Sequence, residues 1–182
     1  MSKTEIRLAG FGGQGIVLLG NIIGKAASIY NQQYAALTQS YGPESRGGSC
    51  RAEVIISSLP IEYPYITSPR IQVILSQEAF NEFGASAPEG TLLLIDSELV
   101  KMDRPPAAKT FTIPASRIAQ EMGRPVVANI IMLGFLSAHS DVVCREALEK
   151  SVVDFIPAGS EAFNMKAFET GYNYSKEKHG PA

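Results

Sequence analysis

At 182 residues, 45% hydrophobic and 19% charged, the chain has the size and make-up of one soluble globular domain spanning 1–182, with room for a sizeable core. A net charge of −2 without a dominant basic patch argues against a broad nucleic-acid surface. Cys50 and Cys144, far apart and without a C-x-x-C pair, cannot by themselves ligate an iron–sulfur cluster or build a zinc site, so no metal ligands are assigned.

The first residues, Met1-Ser2-Lys3-Thr4-Glu5, carry no signal-type apolar stretch. No run approaches the roughly 18 apolar residues of a membrane span. The expectation is a reduced, cytoplasmic setting with no membrane contact.

Residues 5–9 read as a buried strand that breaks into Gly10-Phe11-Gly12-Gly13-Gln14-Gly15. Gly10, Gly12 and Gly15 satisfy the G-x-G-x-x-G spacing, and strand–turn–helix is the context that gives the match meaning. Glycines let the backbone bend sharply and approach a ligand, and the helix start offers open N–H groups to negative charge. The alternative is tight strand–helix packing with no ligand. The helix runs to about Tyr30 on Ile16, Leu19, Ile22, Ile23, Ala26 and Ala27, with Gly20 and Gly24 on one face.

Gln33–Leu37 reads as a second strand, and Thr38–Gly48 as a polar loop. Ser49–Ser57 alternates as a half-exposed strand, with Cys50, Ala52, Val54 and Ile56 inward. Pro60, Pro64 and Pro69 make 59–69 a turn and edge segment. Strands follow at 71–75, 91–96 and 111–113, with short helices at 77–83 and 116–122. Val126–Ala138 is mostly apolar and too long for a strand, so it reads as a buried helix, and helices at 143–153 and 160–174 precede a frayed tail, 175–182.

Strands alternating with helices predict an α/β, Rossmann-like sheet with helices on both faces. Ligands of such sheets sit beyond the carboxyl ends of the strands, where the glycine turn, the 38–48 loop and Asp96 all fall. Asp96 could touch a ligand there or cap the following turn. A dinucleotide fingerprint also wants an acid closing the second strand. Here that strand ends Thr38-Gln39-Ser40, and the nearest acid is Glu44. A phosphate loop of the Gly-Lys-Ser/Thr kind is missing too.

The loop Gln39-Ser40-Tyr41-Gly42-Pro43-Glu44-Ser45-Arg46-Gly47-Gly48 combines conformational freedom with one guanidinium. Arg46 is a natural fork for a phosphate, with Ser45 and loop amides as further donors. Alternatively Arg46 pairs with Glu44 or Glu53 on a solvated surface. His139 and His179 have no nucleophile pattern near them and read as structural or solvated, so no catalytic residue is assigned.

Taken together, the two glycine-bearing stretches, with Asn129-Ile130-Ile131-Met132-Leu133-Gly134 and Asn164-Met165-Lys166-Ala167-Phe168-Glu169-Thr170-Gly171, resemble the gamma subunit of 2-oxoacid:ferredoxin oxidoreductases. The second stretch is most similar to the 2-oxoglutarate (KorC-type) branch. The resemblance spans nearly the whole chain. It implies a non-autonomous subunit of an enzyme that oxidatively decarboxylates a 2-oxoacid with coenzyme A, giving acyl-CoA, carbon dioxide and reduced ferredoxin.

It further implies alpha, beta and delta partner subunits, with thiamine diphosphate, magnesium and iron–sulfur clusters on those partners only. For this chain it implies packing on alpha and a share in binding coenzyme A. By the match, Gly12, Gly13, Gln14, Gly15, Ser45, Arg46 and Asn129 would cradle the coenzyme's phosphates and pantetheine. A homodimer of the isolated chain stays open, and a stand-alone dinucleotide-binding module is the competing reading.

Overall fold

The computed structural model describes residues 3–42 and 48–179. The sequence-based assignments on 43–47, Ser45 and Arg46 among them, and on 180–182 lie outside the described residues. Six strands form one mixed sheet in the order β2-β3-β1-β4-β5-β6. They are β1 (Lys3–Phe11), β2 (Tyr34–Tyr41), β3 (Ser49–Ser57), β4 (Ile71–Ile74), β5 (Leu92–Asp96) and β6 (Lys109–Ile113). β1, β4, β5 and β6 run parallel, whereas β3 lies antiparallel between β1 and β2.

This hairpin is the main departure from the sequence reading. Thr38–Tyr41 continue β2 instead of opening the loop, and β3 is an interior strand instead of a half-exposed one. Alternation misled because Glu53 and Ser57 are buried and Arg51 is only partly exposed. Arg7 Nε donates to Glu53 Oε1 at 3.0 Å, Arg51 Nε lies 3.3 Å from the same oxygen, and both guanidiniums cover the Phe83 ring.

Among the described residues six α-helices cover the sheet: α1 (Ile16–Lys25), α2 (Gln77–Ala79), α3 (Ala115–Glu121), α4 (Ala128–His139), α5 (Arg145–Phe155) and α6 (Glu161–His179). α1 and α2 each continue into a wider π turn, Ala26–Tyr30 and Phe80–Gly84. The two faces are unequal. Ile6, Leu8, Val54, Val73 and Leu94 point into the main core with α1 and α4, joined by Val152 of α5 and Phe168 of α6. Ala9, Ile74, Leu93 and Ile95 are capped on the other face by Ala79 and Phe80.

α4 and α6 cross at glycines. A Cβ on Gly134 would overlap the Phe168 carbonyl, and one on Gly171 would overlap the Ile131 carbonyl. Gly20 packs on Leu37 and Ala52, while Gly24 faces open space. α6 extends past Tyr174 to His179 because Ser175 is buried, its hydroxyl 2.9 Å from His139 Nε2. His139 stacks on Phe111 and meets the edge of Phe135, so it is a packing residue.

The segment between β3 and β4 is anchored by Glu5, whose Oε2 accepts from the amides of Thr67 and Ser68 at 2.8 and 2.7 Å. Burial pushes this carboxyl up, but Lys3 and the two amides outweigh it and hold the group below its ordinary value. The stabilisation is therefore present at neutral pH and lost as pH falls through the depressed value. Glu5→Gln should cost about 1–2 kcal/mol at pH 7. Urea titrations should show the gap to wild type closing below about pH 4.

Candidate functional site

β1 delivers the glycine turn to the carboxyl edge of the sheet, and the turn's geometry explains its composition. Gln14 N donates to the Phe11 carbonyl at 3.2 Å, and Gly13 and Gly15 take φ of 98° and 74°. Side chains rarely adopt these values. α1 starts at once, with Leu19 N donating to the Gly15 carbonyl at 3.0 Å and no side chain capping the helix. N–H groups of a first helical turn have no carbonyl four residues back, so they offer donors at this edge.

The β2–β3 hairpin is tied to the same turn. Gly12 N donates to the Gly48 carbonyl at 2.8 Å, and Gly42 N donates to the Ser49 carbonyl at 2.7 Å. Both feet of the 43–47 segment therefore stand beside the glycine turn, as the sequence reading expected of the carboxyl edge. Gly12 and Gly13 are exposed, and no atom lies within 4 Å of where a Gly13 Cβ would sit.

Gln14 closes the turn from within. Its Oε1 accepts from Phe11 N at 2.6 Å, and its Nε2 donates to the Leu75 carbonyl at 2.7 Å. Its amide occupies the place a Gly10 Cβ would take. Gln14 thus acts as a clasp between the turn and the end of β4, with oxygen and nitrogen both engaged. Gln14→Glu keeps the acceptor for Phe11 but sets a carboxylate oxygen against the Leu75 carbonyl. We expect a loss of about 2–3 kcal/mol, read as a lower urea midpoint at unchanged m-value.

Asn129, in the first turn of α4, is buried and meets the turn from the other side. Its Oδ1 accepts from Ile130 N at 2.8 Å, and its Nδ2 lies where a Gly15 Cβ would be. Gly15 is glycine for two reasons, its positive φ and this contact. Of the sequence-selected residues, Gly12, Gly13, Gln14, Gly15 and Asn129 come together.

Two cavities flank the turn. One of about 250 Å³ is walled by Gly13, Gln14, Leu75, Ser116, Pro125, Val126 and Ala128. The other, about 210 Å³, is lined by Gly10, Ser40, Arg51, Ser76, Glu78 and Phe83 among others. Sequence reasoning missed both walls, because Leu75 at the end of β4, Ser116 of α3 and Arg51 of β3 come from separate elements. Val126, assigned to a buried helix, is 73% exposed at the rim. The cue was Gly123-Arg124-Pro125, since residues 125–127 form a 3₁₀ turn ahead of α4.

Asp96 takes the capping alternative. Its Oδ1 accepts from Glu98 N at 3.0 Å, and its Oδ2 accepts from Ser116 N and Oγ at 2.9 and 2.5 Å. Cys50 is a buried core thiol that burial pushes above its ordinary pKa. Among the described residues no group of three or more His, Cys, Asp or Glu is placed to hold a metal ion. Nor is any helix among them long and apolar enough to cross a membrane.

The comparisons agree with one another. The family model described as pyruvate ferredoxin/flavodoxin oxidoreductase matches residues 5–174. The 2-oxoglutarate synthase subunit KorC of Methanocaldococcus jannaschii is 46% identical over 178 residues, covering 96% of this chain and 95% of that protein. A solved keto/oxoacid ferredoxin oxidoreductase gamma subunit from Geobacter sulfurreducens shares 39% identity at a TM-score of 0.84, covering 96% of this chain and 99% of that one.

A 2-oxoglutarate:ferredoxin oxidoreductase from Magnetococcus marinus, solved with 2-oxoglutarate, coenzyme A and succinyl-CoA, covers all of this chain and 32% of its own at a TM-score of 0.88. At 24% identity that likeness is one of fold. The chain therefore belongs to the pyruvate ferredoxin/flavodoxin oxidoreductase family, as a gamma subunit of the KorC type.

Proposed function

We propose that the chain, acting as one domain, supplies part of the coenzyme A site of a cytoplasmic 2-oxoglutarate:ferredoxin oxidoreductase and packs on its alpha subunit. The observation that carries the reading is the exposed Gly12-Gly13 stretch, set at the sheet's carboxyl edge between the hairpin feet and the buried Asn129. A phosphate can approach such a turn closely because no side chain stands in the way. The cavity beside Leu75, Pro125 and Val126 offers an apolar wall to the pantetheine arm, and Arg51 lines the polar cavity on the other side.

Coenzyme A, when bound, supplies the thiol that carries the acyl product away. This chain's residues bind and orient it. Thiamine diphosphate, magnesium and the iron–sulfur clusters are assigned to alpha, beta and delta, which pass electrons to ferredoxin. A stand-alone dinucleotide module is not favoured: from Tyr34 to Gly42 no acid closes the second strand. The test is to purify the complex through a tag on this chain and assay a panel of 2-oxoacids. We expect coenzyme-A-dependent ferredoxin reduction with 2-oxoglutarate preferred. A chain that copurifies with no thiamine-dependent partner would contradict the reading.

A further inference from the structure

The two edges of the sheet are built differently. β6 is five residues long, opens with Lys109 and is followed by Pro114, the devices that keep an edge from pairing. β2 is eight residues of Tyr-Ala-Ala-Leu-Thr-Gln-Ser-Tyr, with no charge and no proline. It pairs with β3 in unbroken register from Tyr34↔Ser57 to Tyr41↔Cys50, so no bulge twists it away. Among the described residues its outer side pairs with no strand. Beside it, Asn21, Gly24, Lys25 and Ser28 of the first helix, with Leu37 and Phe155, enclose a cavity of about 220 Å³. Gly24 faces open space there, Ile29 is 63% exposed, and Phe155 is 39% exposed.

We propose that β2 is a dimerisation edge whose occupant is β2 of a second copy of this chain, joined antiparallel about a two-fold axis. Charge and symmetry argue for a copy. A two-fold normal to the sheet keeps each face on its own side, so every cross-strand pair joins residues of the same parity. Leu37 or Thr38 then sits on the axis, and all partners are Ala, Leu, Thr, Gln, Ser or Tyr.

A charge in this strand would stand against or near its own copy, which is destabilising, and there is none. On the core face the same axis brings the first helix toward its symmetry mate along Gly24 and Ser28, where the backbones can come close. Lys25 lies on this approach with its charge already matched, Nζ sitting 2.9 Å from Asp154 Oδ2. The inference goes beyond the coenzyme A reading and uses none of its residues.

Sedimentation equilibrium of the full chain at tens of micromolar tests it. Wild type should give about twice the 19.6 kDa of one chain. Thr38→Lys places like charges at the junction, and Gly24→Leu fills space that is open within one copy. Each should raise the dimer dissociation constant by about tenfold or more with an unchanged circular dichroism spectrum. A monomeric wild type overturns the proposal. So does a dimer that both variants leave intact, and so does a β2 edge protected from amide exchange only when the other subunits are added.

Discussion

Gly134→Ala should unfold at a temperature lower by about 2–8 °C, although alanine is the better helix former by about 1 kcal/mol. The added Cβ would meet the carbonyl of Phe168, a backbone group that cannot rotate aside. Relief requires α6 to move off α4, and Phe135 and Phe168, both fully buried, lie in the core beside that crossing. Overpacking of this kind costs about 1–3 kcal/mol and occasionally more, which exceeds the propensity gain. Gly24→Ala is the control. Within one copy nothing lies within 4 Å of its Cβ, so on the Thr38→Lys background, where the seam is open, it should raise the midpoint by about 1–4 °C. Opposite signs for two helical glycines in one scanning-calorimetry series check the packing argument. A rise for both would refute it.

The second large effect concerns Arg46. In the assembled complex Arg46→Ala should raise the Michaelis constant for coenzyme A by about 10- to 100-fold, since a charge-assisted hydrogen bond to phosphate is worth about 1.5–3 kcal/mol. The motivation is the anchoring on either side of it. Gly42 and Gly48 hold the hairpin feet beside the glycine turn, so a phosphate on that turn lies within the loop's neighbourhood. Arg46→Lys should recover only part of the loss, because a point charge does not replace the planar fork.

The surface-pair alternative predicts at most about 1 kcal/mol. One of its partners is already taken, since Glu53 is held by Arg7 and Arg51. Decarboxylation without coenzyme A should be unchanged, and an unchanged Michaelis constant would leave the loop as surface.

Much of this site could be read from the chain because its chemistry is local. The G-x-G-x-x-G spacing, the strand before it and the helix after it lie in consecutive residues, and their structure follows from backbone sterics. The hairpin was less legible. Alternation in Ser49–Ser57 has the same period whether its polar face meets water or, as here, two arginines and a phenylalanine ring. Gln14 is assigned to the coenzyme through the family resemblance. Its clasp on Leu75 joins residues 61 apart in sequence, which no local pattern reveals. Asn129 could be placed beside the turn only through family resemblance, since nothing in an apolar helix start says which loop it will meet. Gly134 and Gly171 close two of the motifs that carry the resemblance, but only the crossing of α4 and α6, with carbonyls where their side chains would be, gives the physical reason.

The central claim is that this chain's carboxyl edge holds coenzyme A. Amide hydrogen exchange on the intact complex, with and without saturating coenzyme A, tests it most directly. Protection should appear at residues 12–16 and 42–49, where the glycine turn, the start of α1 and the hairpin feet converge. β6, at the far edge of the same sheet, should be unaffected. Protection confined to other subunits, with exchange at 12–16 and 42–49 unchanged, would contradict the claim.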